Sequence, residues 1–146
     1  MGQPSIIQGL QHEIQINNIH SNSLYSPLIL SDKRIATCSS DHSISVISID
    51  YNKKTYVQDI KKIDAHNNMI FGICEILNKR LVSSFNDKTI KIWEITKNDL
   101  ILLSTLNNHS NYVYRVINLT HNKFASCSTD NSVKIWSINF PYPEIA

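Results

Sequence analysis

The sequence predicts an all-β chain made of three copies of one four-stranded antiparallel unit. Three observations carry that expectation. His20, His66 and His109 each stand the same distance before an aspartate, Asp41, Asp87 and Asp130, with Thr37, Ser83 and Ser126 four residues ahead of it. Six residues beyond the aspartates come Ile47, Trp93 and Trp136, ending the segments DHSISVI (Asp41 to Ile47), DKTIKIW (Asp87 to Trp93) and DNSVKIW (Asp130 to Trp136). The histidines recur after 46 and then 43 residues, the period of stacked supersecondary units.

Each element has its own signal. Between histidine and aspartate lie two apolar-rich runs: Leu24–Leu30 and Arg34–Ser39, Ile70–Leu77 and Arg80–Phe85, Val113–Leu119 and Lys123–Ser128. The turns within these pairs are Ser31-Asp32-Lys33, Asn78-Lys79 and Thr120-His121-Asn122. Only three glycines occur in the chain, so Asn and Asp are expected to supply the left-handed turn conformations. A third strand follows each aspartate, its alternation clearest in Thr89-Ile90-Lys91-Ile92-Trp93. Fourth strands are expected at Thr55–Ile63 and Leu100–Leu106, after the turn-like linkers Tyr51–Lys54 and Thr96–Asp99. The run Ile6–Ile19 reads as one more outermost strand. Short antiparallel strands at even spacing, with no amphipathic helix, define the class.

His, Ser/Thr, Asp and Trp in this combination and spacing resemble the WD-repeat β-propeller family over nearly the whole chain. The family usually has Gly before the histidine, where this chain has Ile19, Ala65 and Asn108; the WD pair appears as Ile47-Ser48, Trp93-Glu94 and Trp136-Ser137. The first unit is degenerate. The resemblance implies three propeller blades, half or part of a WD-repeat β-propeller. It divides the chain into a blade-completing N-terminal strand (1–19), repeat 1 with its outer strand (20–63), repeat 2 with its outer strand (64–106), repeat 3 (107–138) and a tail (139–146). It also implies a structural tetrad in which the aspartate accepts from the histidine, the histidine bonds the hydroxyl, and the hydroxyl meets the indole. Carried over, the sets are His66, Ser83, Asp87, Trp93 and His109, Ser126, Asp130, Trp136. His20, Thr37 and Asp41 lack an indole, because Ile47 stands in its place.

Ser, His and Asp together also suggest a hydrolase triad. The constellation recurs three times, its hydroxyls fall inside strands, and no glycine cluster accompanies them. A structural role is therefore expected and no catalytic residue is assigned. No metal or cofactor is expected either. A formal net charge of +2, with scattered Lys and Arg, gives no nucleic-acid footprint. The apolar runs are too short to span a membrane, and Met1–Ser5 does not read as a secretory signal. Cys38, Cys74 and Cys127 lack CxxC spacing and read as buried free thiols in a reducing, cytoplasmic or otherwise intracellular setting. His12, His42 and His121 lie in or next to turns and are expected in solvent.

With no chemistry assigned, function is expected on a surface. The family commonly grips peptides at the entrance to its central channel. Five residues after each histidine stand Tyr25, Phe71 and Tyr114; three after them stand Ser23, Met69 and Tyr112; and just before the aspartates stand Ser40, Asn86 and Thr129. Rings among small polar groups suit a protein or peptide partner. The alternative use of Tyr25, Phe71 and Tyr114 is to wedge neighbouring blades together. A propeller needs about four to eight blades to close, so three require completion. Either two copies join head to tail in a six-bladed homodimer, or further blades complete the ring.

Overall fold

A computed structural model describes residues 11–77, 79–120 and 122–139. Among them are eleven strands and no helix: β1 Leu24–Ile29, β2 Ile35–Ser39, β3 Ile44–Asp50, β4 Thr55–Lys62, β5 Ile70–Ile76, β6 Arg80–Phe85, β7 Ile90–Ile95, β8 Leu100–Leu106, β9 Val113–Thr120, β10 Lys123–Ser128 and β11 Val133–Ser137. They form three antiparallel meanders, β1-β2-β3-β4, β5-β6-β7-β8 and β9-β10-β11. These are the blades. Blades 1 and 2 have four strands and blade 3 has three among the described residues.

Register explains how each strand keeps its two faces. In blade 2, Ser83 lies opposite Lys91 and Leu81 opposite Trp93, while Val82 pairs with Ile92. Successive residues therefore point to opposite sides of the sheet. The side facing blade 1 carries Leu81, Ser83, Phe85 and Trp93; the side facing blade 3 carries Val82, Ile90 and Ile92. Two cores follow. Leu30, Ala36, Cys38, Ile44, Val46 and Ile60 of blade 1 meet Ile70, Ile73, Leu81, Phe85, Trp93 and Leu100 of blade 2. Cys74, Ile76, Val82, Ile90 and Ile92 of blade 2 then meet Val113, Val116 and Phe124 of blade 3. Each blade thus has a leading face turned to its predecessor and a trailing face turned to its successor. Burying one such aliphatic side chain stabilises by about 1.5–3 kcal/mol.

Gly72 lies where the inner strands of blades 2 and 3 approach each other. A Cβ there would lie 2.9 Å from Ser84 Oγ and 3.3 Å from the Cα of Arg115, so β5 and β9 can approach only because the side chain is missing.

Four expectations are corrected by the structure. Residues 11–19, the described part of the expected strand Ile6–Ile19, are irregular, while residues 6–10 lie outside the described residues. The segment instead ties to blade 1, where Tyr56 Oη donates to the Asn17 carbonyl at 3.1 Å and Gln58 Nε2 to the Ile19 carbonyl at 3.2 Å. β4 already holds the outermost place of blade 1, and the expected strand was to complete a different blade. Cys127 is exposed, unlike the buried Cys38 and Cys74, because among the described residues no blade covers that side of blade 3.

The turns also differ. Left-handed backbone falls on Asn18, Ser26, Lys33 (φ 73°), His42 (φ 69°), Lys54 (φ 52°), Asp64 (φ 47°), Lys79 (φ 55°), Lys88 (φ 73°) and Asn131 (φ 65°), so Asn and Asp supply part of it and lysine supplies more. The aspartates act one residue earlier. Asp41, Asp87 and Asp130 accept the backbone N–H two residues on, from Ser43 at 3.0 Å, Thr89 at 2.9 Å and Ser132 at 3.0 Å. That contact closes the turn and forces the residue between into the left-handed region. Finally, His42 is half-buried in such a turn rather than fully solvated, whereas His12 is exposed; His121 lies outside the described residues.

Candidate functional site

Two sets of residues were marked by the sequence, and the fold puts them in different places. The tetrads lie within the blades. In blade 3, His109 Nδ1 is 2.6 Å from Asp130 Oδ2 and His109 Nε2 is 2.7 Å from Ser126 Oγ, to which Trp136 Nε1 donates at 2.7 Å. An indole N–H only donates, so Ser126 Oγ accepts from Trp136 and meets His109 Nε2 with its remaining capacity. A carboxylate only accepts, so Nδ1 carries a proton toward Asp130. Within this four-residue network the histidine, hydroxyl and indole polar atoms are all paired, which a buried network requires.

Blade 2 has the same arrangement at one end and a gap at the other. His66 Nε2 is 2.6 Å from Ser83 Oγ and Trp93 Nε1 donates to that oxygen at 2.9 Å. His66 Nδ1, however, lies 3.8 Å from Asp87 Oδ2, and this buried nitrogen has no hydrogen bond. Stacking on Phe85, with centroids 3.9 Å apart, holds the ring instead. In blade 1, His20 Nε2 reaches Thr37 Oγ1 at 2.9 Å, and Nδ1 reaches Asp41 at 3.2 Å and Ser43 Oγ at 2.8 Å. Ile47 fills the indole's place without a donor and is buried.

The residues before His20 and His66 are held too. Ser45 Oγ donates to the Ile19 carbonyl at 3.3 Å, and Lys91 Nζ to the Ala65 carbonyl at 2.7 Å. These positions replace the family's usual glycine, and both are buried.

Electrostatics follow from enclosure. Burial holds His20 and His66 below the ordinary histidine value, against the opposing pull of Asp41 and Asp87, so both rings are neutral near pH 7. Burial also acts to raise Asp41, but the Ser43 hydroxyl and the Ser21 and Ser43 amides outweigh it and hold the carboxyl far below its usual range. Asp130 is held low by the Ser132 hydroxyl, by His109 and by the Ser110 and Ser132 amides. Burial pushes the Cys38 and Cys74 thiols up to about 12, which removes thiolate reactivity. Ser83 and Ser126 are enclosed, their hydroxyls already committed to histidine and indole, so neither is presented to a substrate.

The second set forms a ladder of rings across the inner strands. The Tyr25 and Phe71 centroids are 5.9 Å apart, edge to face, and those of Phe71 and Tyr114 are 5.1 Å apart, tilted at 43°. Tyr25 and Phe71 are half-buried, and Tyr114, at the end of the ladder, is 52% exposed. Ser40 Oγ donates to Tyr25 Oη at 3.3 Å. The amides of Ser40, Asn86 and Thr129 donate to the carbonyls of Ser23, Met69 and Tyr112 at 2.9, 3.2 and 3.0 Å, bringing these loops together on the same side of each blade. Met69, Ser40, Asn86 and Thr129 are half-buried and Tyr112 is exposed. Contact between rings of adjacent blades is the alternative use that their equal spacing from each histidine offered. Among the described residues, no cluster of His, Cys, Asp and Glu has the makings of a metal site.

The sequence profile of the WD domain, G-beta repeat, matches residues 57–94 and 100–137, together more than half of the chain. The chain belongs to the WD-repeat family. WD repeats generally mediate protein–protein interaction and typically act as non-catalytic scaffolds. The profile leaves out residues 20–56, where the indole is missing and the unit is degenerate. No curated protein matches the chain.

Two outcomes test the tetrads. Asp87→Ala removes both Thr89 hydrogen bonds and is expected to lower stability by about 1–3 kcal/mol. Asp130→Ala, which also breaks the direct bond to His109, is expected to lower the thermal midpoint further. A wild-type midpoint for either variant, or the reverse order, contradicts the geometry.

The histidines set a pH dependence. His20 and His66 bind protons less readily folded than unfolded, so their contribution is present above the ordinary value of 6.5 and declines as pH falls below it. Thermal midpoints measured at pH 7.5, 6.5 and 5.5 are expected to fall in that order. Equal midpoints over this range contradict the neutral buried rings.

Proposed function

We propose that this WD-repeat chain is a non-catalytic scaffold whose channel-entrance face binds a protein or peptide segment. The ring ladder Tyr25–Phe71–Tyr114 carries the reading. These side chains offer a continuous aromatic strip bordered by Ser40, Asn86, Thr129, Met69 and Tyr112. Aromatic rings supply large contact area at low entropic cost, and small polar neighbours supply hydrogen bonds at the rim. An extended peptide suits a strip of this kind. A cytoplasmic location is part of the proposal, since the free thiols suit a reducing compartment.

The three blades act as part of a larger ring. A homodimer with six blades falls within the size range of closed propellers, and further blades from elsewhere are the other route to closure. The faces of blades 1 and 3 that the described residues leave uncovered favour a second reading, in which the chain is a structural subunit of a multi-protein or ribonucleoprotein assembly.

Substitution of the ladder separates binding from packing. Tyr114→Ala, at the exposed end, is expected to change stability by no more than about 0.5 kcal/mol. It should weaken a peptide selected from a displayed library by at least about tenfold. Undiminished peptide capture, or a large loss of stability with capture intact, assigns the rings to blade packing.

A further inference from the structure

The trailing face of blade 3 is equivalent, position by position, to two faces that are buried in the same molecule. Ile44 of blade 1 and Ile90 of blade 2 hold the place of Val133, and Val46 and Ile92 hold that of Ile135. Leu30 and Ile76 hold the place of Leu119. All six counterparts are enclosed by the next blade. Val133, Ile135 and Leu119 are instead 69%, 60% and 45% exposed, and Cys127 lies open beside them where Cys38 is sealed in blade 1. Isolated apolar residues on a surface carry little meaning, but a contiguous sheet face of them marks an interface.

The chemistry of the occupant follows from what covers the equivalent faces. Blade 1 is covered by Ile70, Ile73 and Leu81 of blade 2, and blade 2 by Val113, Val116 and Phe124 of blade 3. In blade 1 these positions are Leu24, Pro27 and Ile35. Leu24 is 52% exposed although Ile70 and Val113 are completely enclosed, Pro27 is exposed, and Ile35 is half-buried. One chain therefore holds both halves of a blade-to-blade contact, at opposite ends of its arc and turned away from each other.

We infer that the trailing face of blade 3 takes the leading face of blade 1 from a second copy of this chain. The inference rests on the ring reading above and gives the dimer its contact surfaces. Two such contacts related by a two-fold axis use up both open faces and leave none to recruit a third copy. Cys127 becomes enclosed at each junction, as Cys38 is between blades 1 and 2.

Mass in solution and alkylation of Cys127, read peptide by peptide, test it on the full chain. The expected result is a dimer in which Cys127 reacts about tenfold or more slowly than on dilution to monomer. Ile135→Glu and Leu24→Glu should each give folded monomers, verified by β-type circular dichroism, with Cys127 open. Mixing the two variants pairs the intact blade 3 of Leu24→Glu with the intact blade 1 of Ile135→Glu. A mixed dimer should form, with Cys127 protected only in the Leu24→Glu chain. A stable wild-type monomer with open Cys127 overturns both the dimer and the contact. A monomer with protected Cys127 means that the chain covers its own face and also overturns it. A dimer with freely reacting Cys127, or one indifferent to both charged substitutions, keeps the dimer but rejects these faces.

Discussion

Burial of one sheet face against the next is the interaction on which the rest of this structure depends. No blade encloses a core alone: a single antiparallel sheet has two sides and no interior. Among the described residues blade 2 alone is covered on both sides, and its Val82, Ile90, Leu81 and Trp93 are all enclosed. Stability in such an array is approximately a sum of unit and nearest-neighbour contributions. The end blades therefore lack one neighbour contribution each. The ring ladder inherits this constraint, because it exists only where blades are held side by side at a fixed spacing.

The tetrads serve that packing rather than compete with it. Histidine and aspartate come from opposite ends of a segment spanning the two inner strands, so their contact fixes where the loop before each blade sits. The hydroxyl and indole continue the connection into β6 and β7, and into β10 and β11. Each set shows a different degree of completion. Blade 3 closes every bond, blade 2 replaces one with a stacked phenylalanine, and blade 1 replaces the indole with isoleucine. Substitution of a buried donor by an apolar side chain is tolerable when its acceptor retains another partner, and Thr37 retains His20.

Much of the fold was legible because its signals are local and repeated. Alternation in Thr89–Trp93 and the recurring histidine-to-aspartate distance located strands that the structure places within one or two residues. What was not legible depends on neighbours. Cys38 and Cys127 occupy equivalent sequence positions, yet one is sealed and the other open, because burial belongs to the next blade and not to the residue. Ile6–Ile19 has the composition of a strand, but composition cannot supply an edge to pair with, and its described part stays irregular. Left-handed backbone fell on Lys33, Lys79 and Lys88 because the preceding turn geometry, not the preference of the residue, sets that conformation. Of the site, the equal spacing of Tyr25, Phe71 and Tyr114 was readable and wedging of neighbouring blades was one of the two uses it offered, whereas the distances between the rings required the arc.

The most direct test of neighbour-dependent stability is residue-level amide hydrogen exchange, followed as protein concentration is varied. Amides of β6 and β7, in the blade flanked on both sides, should exchange slowest at every concentration. Those of β10 and β11 should exchange faster in dilute solution and gain protection as concentration rises. Protection of β10 and β11 equal to that of β6 and β7 in dilute monomer would contradict the account, since a blade lacking one neighbour would then be as stable as a blade with two.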